Sequence, residues 1–168
     1  MLLRRLARPL MAAIFVASGV QTLRDPSGPT QAAKPFLDKT IGSRADSLPA
    51  QVPTDAQTLV RLDAAVKVVA GSALAAGKFP RLSALVLAAN LVPTTLATHA
   101  FWEYSDESER STQLVHFFKN ASMCGGLLLA AADTEGKPSV GWRARRATDK
   151  ASKKVQKTSR KARRAART

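Results

Sequence analysis

Four stretches of the chain are dominated by apolar and small residues, and each is about as long as a membrane-spanning helix. They lie at residues 6–23, 59–77, 82–101 and 114–132. About twenty residues, at ~1.5 Å rise each, cover the roughly 30 Å of hydrocarbon in a bilayer. Within the third stretch, "ALVLAANLVPTTLA" is apolar or small around its whole circumference, with Asn90 as its only large polar residue. A soluble four-helix bundle, the alternative, would need a polar face on each helix. The pattern therefore predicts an all-α fold, a four-helix transmembrane bundle within residues 1–135.

The first stretch also fits a second interpretation. Arg4, Arg5 and Arg8 precede an apolar segment that ends in small residues, as in a cleavable signal peptide. No good A-x-A cleavage site follows, so a retained span is favoured, and the bundle would survive cleavage.

The connection from residue 25 to residue 57 is rich in Pro, Gly and Ser and is predicted to be a loop. Within it, "KPFLDKTI" brings Phe36, Leu37 and Ile41 close enough for one small amphipathic turn. Such a turn would rest on the membrane interface. An ordinary surface loop is the equal alternative.

Charge is concentrated at the C-terminal end. Thirteen Lys or Arg and one acid, Asp149, lie between residues 137 and 167, so this end supplies +12 of the formal +14. Such a segment is predicted to be a basic cytoplasmic tail over 136–168, disordered or partly helical, that contacts anionic lipids. Nucleic acid is the disfavoured partner, because no aromatic residue after Trp142 is present to stack on bases.

The basic residues of the connections predict the orientation of the chain. The N-terminus, the tight turn "GKFPR" and the tail are basic, whereas the connection "WEYSDESERST" is net acidic. Because basic segments stay inside, an even number of spans with both termini cytoplasmic fits this distribution. The long connection at 25–57 fits it imperfectly, since it contains Lys34, Lys39 and Arg44.

Several polar residues lie inside or at the ends of the predicted spans, where charge is costly. If the second, third and fourth helices meet, these residues would line a polar pocket that opens outward: Arg61, Asp63, His99, Glu103, His116, Lys119 and Asn120. Asp63 with Lys67, and His99 with Glu103, are spaced i,i+4 and are expected to pair. For each residue alone, an interhelical hydrogen bond or a snorkelling end is the simpler explanation. The spacing of the histidines and carboxylates matches no known metal-ligand pattern, and no metal site is predicted.

Small residues at i,i+4 spacing predict close helix contacts. The predicted packing positions are Gly71, Ala75, Ala121, Gly125 and Gly126. The single cysteine, Cys124, lies beside the last two and excludes an internal disulfide.

The segments "RPLMAAIFVASGVQTL", "GSALAAGKFPRLSALVLAANLVPTTLATHAFW" and "QLVHFFKNASMCGGLLLAAADTEGKPSVGWRARR" resemble, in order and spacing, the DoxX family of bacterial membrane proteins. The resemblance covers most of residues 4–146. It implies a four-helix integral protein of the cytoplasmic membrane, linked to quinone and sulfur redox chemistry or to oxidative-stress assemblies. It carries no catalytic motif to transfer to this chain.

Three functions remain open on these grounds. The chain is expected to be a non-enzymatic auxiliary subunit that scaffolds a membrane redox or oxidative-stress system together with redox protein partners. The alternatives are a quinone-linked oxidoreductase, for which quinone is the expected cofactor, and a small-molecule binding or permeation bundle. The last two would use the outward polar pocket.

Overall fold

The computed structural model describes residues 2–43, 49 and 53–133, together with positions 142, 145, 146, 148, 149 and 152. The chain divides into two units, Met1–Ala132 and Asp133–Thr168. Most of the predicted basic tail at 136–168 lies outside the described residues. At the six described tail positions the backbone is helical, and the Arg146 guanidinium lies 4.7 Å from the centre of the Trp142 ring.

The described part of the first unit is built from helices and contains no strand. Its helices are α1 (Leu2–Arg24), α2 (Ser27–Thr40), α3 (Ala56–Ala75), α4 (Pro80–Thr98) and α5 (Glu107–Ala132), with a short 3-10 helix at Phe101–Glu103. The all-α prediction is confirmed for these residues. Helices α1, α3, α4 and α5 correspond to the four predicted spans, although α5 begins seven residues before the predicted 114.

Helix α2 corrects the prediction of a loop between residues 25 and 57. The predicted turn at Phe36 and Leu37 is the second half of a 14-residue helix that packs on α3 and α4. Pro29, Ala33, Phe36 and Leu37 follow one another at i, i+4, i+7 and i+8, so they share one face. Asp25 lies two residues before the start of α2. Its carboxylate accepts hydrogen bonds from the Ser27 hydroxyl and amide, and these bonds lower the pKa of Asp25.

Local signals explain where the other helices begin. The Asp55 carboxylate caps α3 by accepting from the Thr58 amide at 2.9 Å, and the Asp106 carboxylate caps α5 by accepting from the Glu109 amide at 2.9 Å. Between α3 and α4 the chain turns through Gly77 and Phe79, both at positive φ, and Pro80 then opens α4. This turn makes α3 and α4 antiparallel neighbours.

Helices α1 and α3 pack most closely, because glycines remove side chains from their interface. A Cβ on Gly19 would lie 2.8 Å from the Ala64 carbonyl oxygen, and a Cβ on Gly71 would lie 2.8 Å from Val16 Cγ2. Since residues late in α1 meet residues early in α3, the two helices run antiparallel. Leu74, Leu87 and Leu127 are the largest fully buried side chains and place the core among α3, α4 and α5.

Candidate functional site

A cavity of about 480 Å³ lies within the first unit, in the half of the bundle that α2 covers. The apolar face of α2 forms one wall, through Pro29, Ala33, Phe36 and Leu37. Apolar residues of the four long helices form most of the remaining wall. Polar side chains interrupt it at Ser18, Thr22, Asp63, Lys67, Thr94, Thr98, Lys119 and Asn120.

An ion pair between Asp63 and Lys67 is the central polar feature of the cavity wall. Lys67 Nζ donates to Asp63 Oδ2 at 2.6 Å, and the two side chains are 12% and 29% exposed for Lys67 and Asp63 respectively. The predicted i,i+4 pairing of these residues is confirmed. Because both side chains are largely buried, their charges are mostly removed from bulk water, and the ion pair offsets that cost.

Helix α4 completes the surroundings of the Asp63 carboxylate. Asn90 Nδ2 donates to Asp63 Oδ1 at 2.7 Å. The Thr94 hydroxyl lies 3.2 Å from the same oxygen and 3.0 Å from the Asn90 carbonyl oxygen. Asn90 Oδ1 is buried and has no hydrogen-bond partner among the described residues. This network joins α3 to α4 across the cavity wall.

A second interhelical bond joins α4 to α5. The buried Asn120 side chain donates from Nδ2 to the Thr95 hydroxyl oxygen at 3.0 Å, and that hydroxyl donates to the Leu91 carbonyl at 2.7 Å. Asn120 separates the main cavity from a smaller apolar pocket of about 180 Å³ that Thr95 and Cys124 also line. The amide therefore fixes the wall between the two spaces.

The two histidines form a separate cluster, His99 at the C-terminal end of α4 and His116 in the first half of α5. The rings of His99 and His116 stack with centroids 5.1 Å apart. His99 Nδ1 lies 2.7 Å from Gln113 Oε1, and Lys119 Nζ donates to His116 Nδ1 at 3.3 Å. Lys119 thus connects this cluster to the cavity that it also lines.

The seven predicted pocket residues are therefore divided among several places. Asp63, Lys119 and Asn120 line the cavity, and His99 and His116 stack beside it. Arg61 is exposed on α3. Glu103 pairs with Lys39 of α2 at 3.3 Å instead of with His99, because α4 ends at Thr98 and the i,i+4 spacing does not persist.

The predicted packing positions also differ in their surroundings. Gly71 is buried in the α1–α3 contact, and Ala75 packs against the core. A Cβ on Gly126 would lie 3.1 Å from Met11 Cε, which places Gly126 against α1. Ala121 is exposed, and a Cβ on Gly125 would meet nothing within 4 Å. Gly19 of α1 is a close-contact position that the spacing of small residues did not predict, since Phe15 and Leu23 lie four positions before and after it.

Among the residues that the structure describes, three helical segments are long and apolar enough to cross a membrane: Leu2–Arg24, Pro80–Glu103 and Glu107–Ala132. Helix α3 carries Arg61, Asp63 and Lys67 and is not among them. Long apolar helices around an interior polar network define a multi-pass helical membrane protein.

The DoxX family model matches residues 3–100, which is more than half of the 168 residues, and the chain belongs to the DoxX family. No curated protein and no solved structure matches the chain. The family match ends before α5.

Proposed function

We propose that α1, α3, α4 and α5 cross the bacterial cytoplasmic membrane as a four-helix bundle with both termini in the cytoplasm. The antiparallel packing supports this arrangement, because it gathers Arg4, Arg5, Arg8, Lys78 and Arg81 at one end of the bundle. Arg8 Nη1, for example, lies beside Gly77 in the α3–α4 turn. The basic end then faces the cytoplasm, as the distribution of positive charge in membrane proteins predicts.

The charges of α3 are compatible with a span in this arrangement. Asp63 and Lys67 face the interior and pair with each other, and Arg61 lies close enough to the helix start to reach the interface by snorkelling. The basic tail at 136–168 then contacts anionic lipids of the cytoplasmic leaflet.

We propose that the bundle binds a small, mostly apolar molecule with a polar head group, and that a quinone is the class of ligand. The observation that carries this proposal is the cavity of about 480 Å³, whose apolar walls surround the Asp63–Lys67 pair. A concave apolar site with a few convergent polar groups is the usual form of a small-molecule site. A quinone fits this chemistry, because its ring is apolar and its carbonyl oxygens accept hydrogen bonds.

Filling the cavity tests this function. Ala97 lines the cavity, whereas Ala89 of the same helix is exposed and does not line it. We expect Ala97→Trp to abolish binding of menadione to the full chain in lipid nanodiscs, and Ala89→Trp to leave it unchanged, as measured by equilibrium dialysis. Equal binding by the wild type and Ala97→Trp would refute the cavity as the site.

An auxiliary role in a membrane redox or oxidative-stress system is the second candidate function. It is supported by the outer face of α5, where Ala121, Ser122 and Gly125 are exposed and a Cβ on Gly125 would meet no atom within 4 Å. Small residues on an open helix face allow a second helix to approach closely. In this role the chain supplies ligand binding and scaffolding to redox protein partners instead of acting as an enzyme by itself.

Replacing Gly125 tests the auxiliary role. We expect Gly125→Leu to reduce recovery of a stoichiometric redox partner with the protein from mild detergent while menadione binding persists. Loss of menadione binding together with the partner would point to misfolding, and unchanged recovery of the partner would refute a role for this face.

A further inference from the structure

We propose that Lys67 anchors the head group of the bound molecule and that the cavity selects anionic or hydrogen-bond-accepting heads over cationic heads. This inference rests on the proposed binding function and names the chemistry that the site recognises. Lys67 lies eleven residues beyond Ala56, or ~16 Å along the α3 axis, which places its ammonium deep in the bundle. A charged side chain at such a depth in a spanning helix is a functional candidate by default.

The Asp63 carboxylate has little capacity left for a ligand. Two carboxylate oxygens offer about four acceptor positions. Lys67 occupies Oδ2, and the Asn90 amide and the Thr94 hydroxyl both lie within hydrogen-bond distance of Oδ1. A cation that entered the cavity would therefore find most of this carboxylate already bonded, and it would have to displace a donor to reach it.

The two lysines, in contrast, have donors to spare. Each ammonium has three N–H groups. Lys67 uses one on Asp63, and Lys119 uses one on His116, among the hydrogen bonds of the described residues. Buried donors are costly when they lack a partner. An acceptor on the ligand would satisfy the remaining donors of Lys67, whose side chain is 12% exposed.

The charges of the lining lead to the same conclusion. The wall contains one carboxylate, Asp63, and two ammonium groups, Lys67 and Lys119, so its formal charge is −1 + 2 = +1. Hydrogen bonds to a charged donor are roughly twice as strong as neutral ones. The favoured ligand therefore has an apolar body and a carbonyl, carboxylate or phenolate head.

Two ten-carbon alkyl probes whose head groups carry opposite charges test this selectivity. Decanoate and decylammonium are titrated into the full-length protein in nanodiscs of zwitterionic phosphatidylcholine. The Ala97→Trp variant in identical discs measures partition into the lipid, which is subtracted. We expect cavity binding of decanoate to be about tenfold tighter than that of decylammonium, the effect of one charge-assisted hydrogen bond.

Variants assign the selectivity to Lys67. We expect Lys67→Met to weaken the binding of decanoate about tenfold, and Lys67→Arg to keep much of the wild-type affinity. Lys34→Met, an equal charge change on the exposed face of α2, should have no effect. Because Lys67→Met leaves Asp63 without its ion-pair partner, the Asp63→Asn/Lys67→Met double variant removes both charges and keeps the fold testable. It should lose most of the preference for decanoate, with Lys119 as the one cation left in the wall among the lining residues.

The outcomes separate the two proposals. Equal affinity for both probes in the wild type, or an unchanged preference in the double variant, would overturn the role of Lys67 while menadione binding still supports the cavity. If neither the probes nor menadione bind in an Ala97-dependent manner, the proposed function fails and this inference fails with it.

Discussion

At the scale of single residues, the most consequential position is Asp63, whose carboxylate joins Lys67 of its own helix to Asn90 of the next. The sequence allowed the Asp63–Lys67 pair to be predicted, because i,i+4 spacing is a local property. It did not reveal Asn90 as a partner. Which residues meet across two helices depends on their axial and rotational register, and no local pattern reports that register. One feature of the sequence did indicate that Asn90 needs a polar partner, namely its isolation in the most apolar stretch of the chain.

Removing the Asp63 carboxylate tests this network. We expect Asp63→Ala to lower the free energy of unfolding by about 3 kcal/mol, because it leaves the Lys67 ammonium buried without a counter-charge. Asp63→Ala/Lys67→Met should be less destabilised than Asp63→Ala alone, since no uncompensated charge remains. Chemical unfolding in mixed micelles measures both, and Asp38→Ala on the exposed face of α2 serves as the control. A double variant at least as destabilised as Asp63→Ala would show that the two charges do not interact.

At the scale of elements, the four long helices were predictable within a few residues, except for the start of α5, because their apolar content is high and sustained. Helix α2 was not, since it contains Pro29 and Pro35 and only four cavity-facing apolar positions. Its prolines and short length are typical of a loop. Packing on α3 and α4, together with the exposed Lys39–Glu103 ion pair, supports a helix that its local sequence favours weakly. The wall that α2 adds to the site was therefore missed with it.

The α1–α3 contact provides a prediction with a matched glycine control. Gly19→Ala should destabilise the protein by about 1–3 kcal/mol, because the new Cβ would lie 2.8 Å from the Ala64 backbone oxygen and push the helices apart. Gly125→Ala adds the same group in open space and should be neutral or slightly stabilising, since alanine favours helix. Thermal unfolding in detergent compares the two. An equal effect at both positions would contradict the close packing of α1 and α3.

The N-cap of α3 predicts a local dependence on pH. Hydrogen bonds from the Thr58 amide and hydroxyl lower the pKa of Asp55 below its usual 3.8. A lowered pKa means that the cap stabilises the helix above about pH 4 and that this contribution is lost as the pH falls through the lowered value. Hydrogen exchange in the first turn of α3 should therefore accelerate in acid beyond its intrinsic pH dependence.

Asn at position 55 is the control for this titration. Its side-chain oxygen can still accept from the Thr58 amide, but it does not titrate in this range. We expect Asp55→Asn to remove the acid-induced acceleration while the first turn stays protected near neutral pH. The same acid response in Asp55→Asn would assign it to another group.

At the scale of the whole molecule, the antiparallel helices place the basic and acidic connections at opposite ends of the first unit. Counting charges in the sequence predicts this separation, and the packing of α1, α3, α4 and α5 explains how it arises. The sequence did not predict which of the polar residues would line the cavity, which would lie on the surface and which would join the histidine cluster. That distribution depends on where α4 ends and on how α2 lies across the bundle.

Accessibility of single cysteines tests the proposed orientation. In a Cys124→Ala background, Ser105→Cys lies in the acidic connection and Ala76→Cys lies in the exposed α3–α4 turn. A membrane-impermeant maleimide should label position 105 in intact cells and position 76 only after permeabilisation. The reverse pattern would invert the topology, and labelling of both positions in intact cells would exclude a sealed four-span arrangement.

The glycine-lined contact between α1 and α3 also limits how molecules can enter and leave. At Gly19 and Gly71 the two helices approach so closely that an acyl chain or a quinone ring cannot pass between them. Molecules from the bilayer must therefore use another route, and α2 forms one wall of the cavity. A guest molecule would then enter beneath a short, proline-containing helix, and the rate of exchange would depend on how easily that helix lifts.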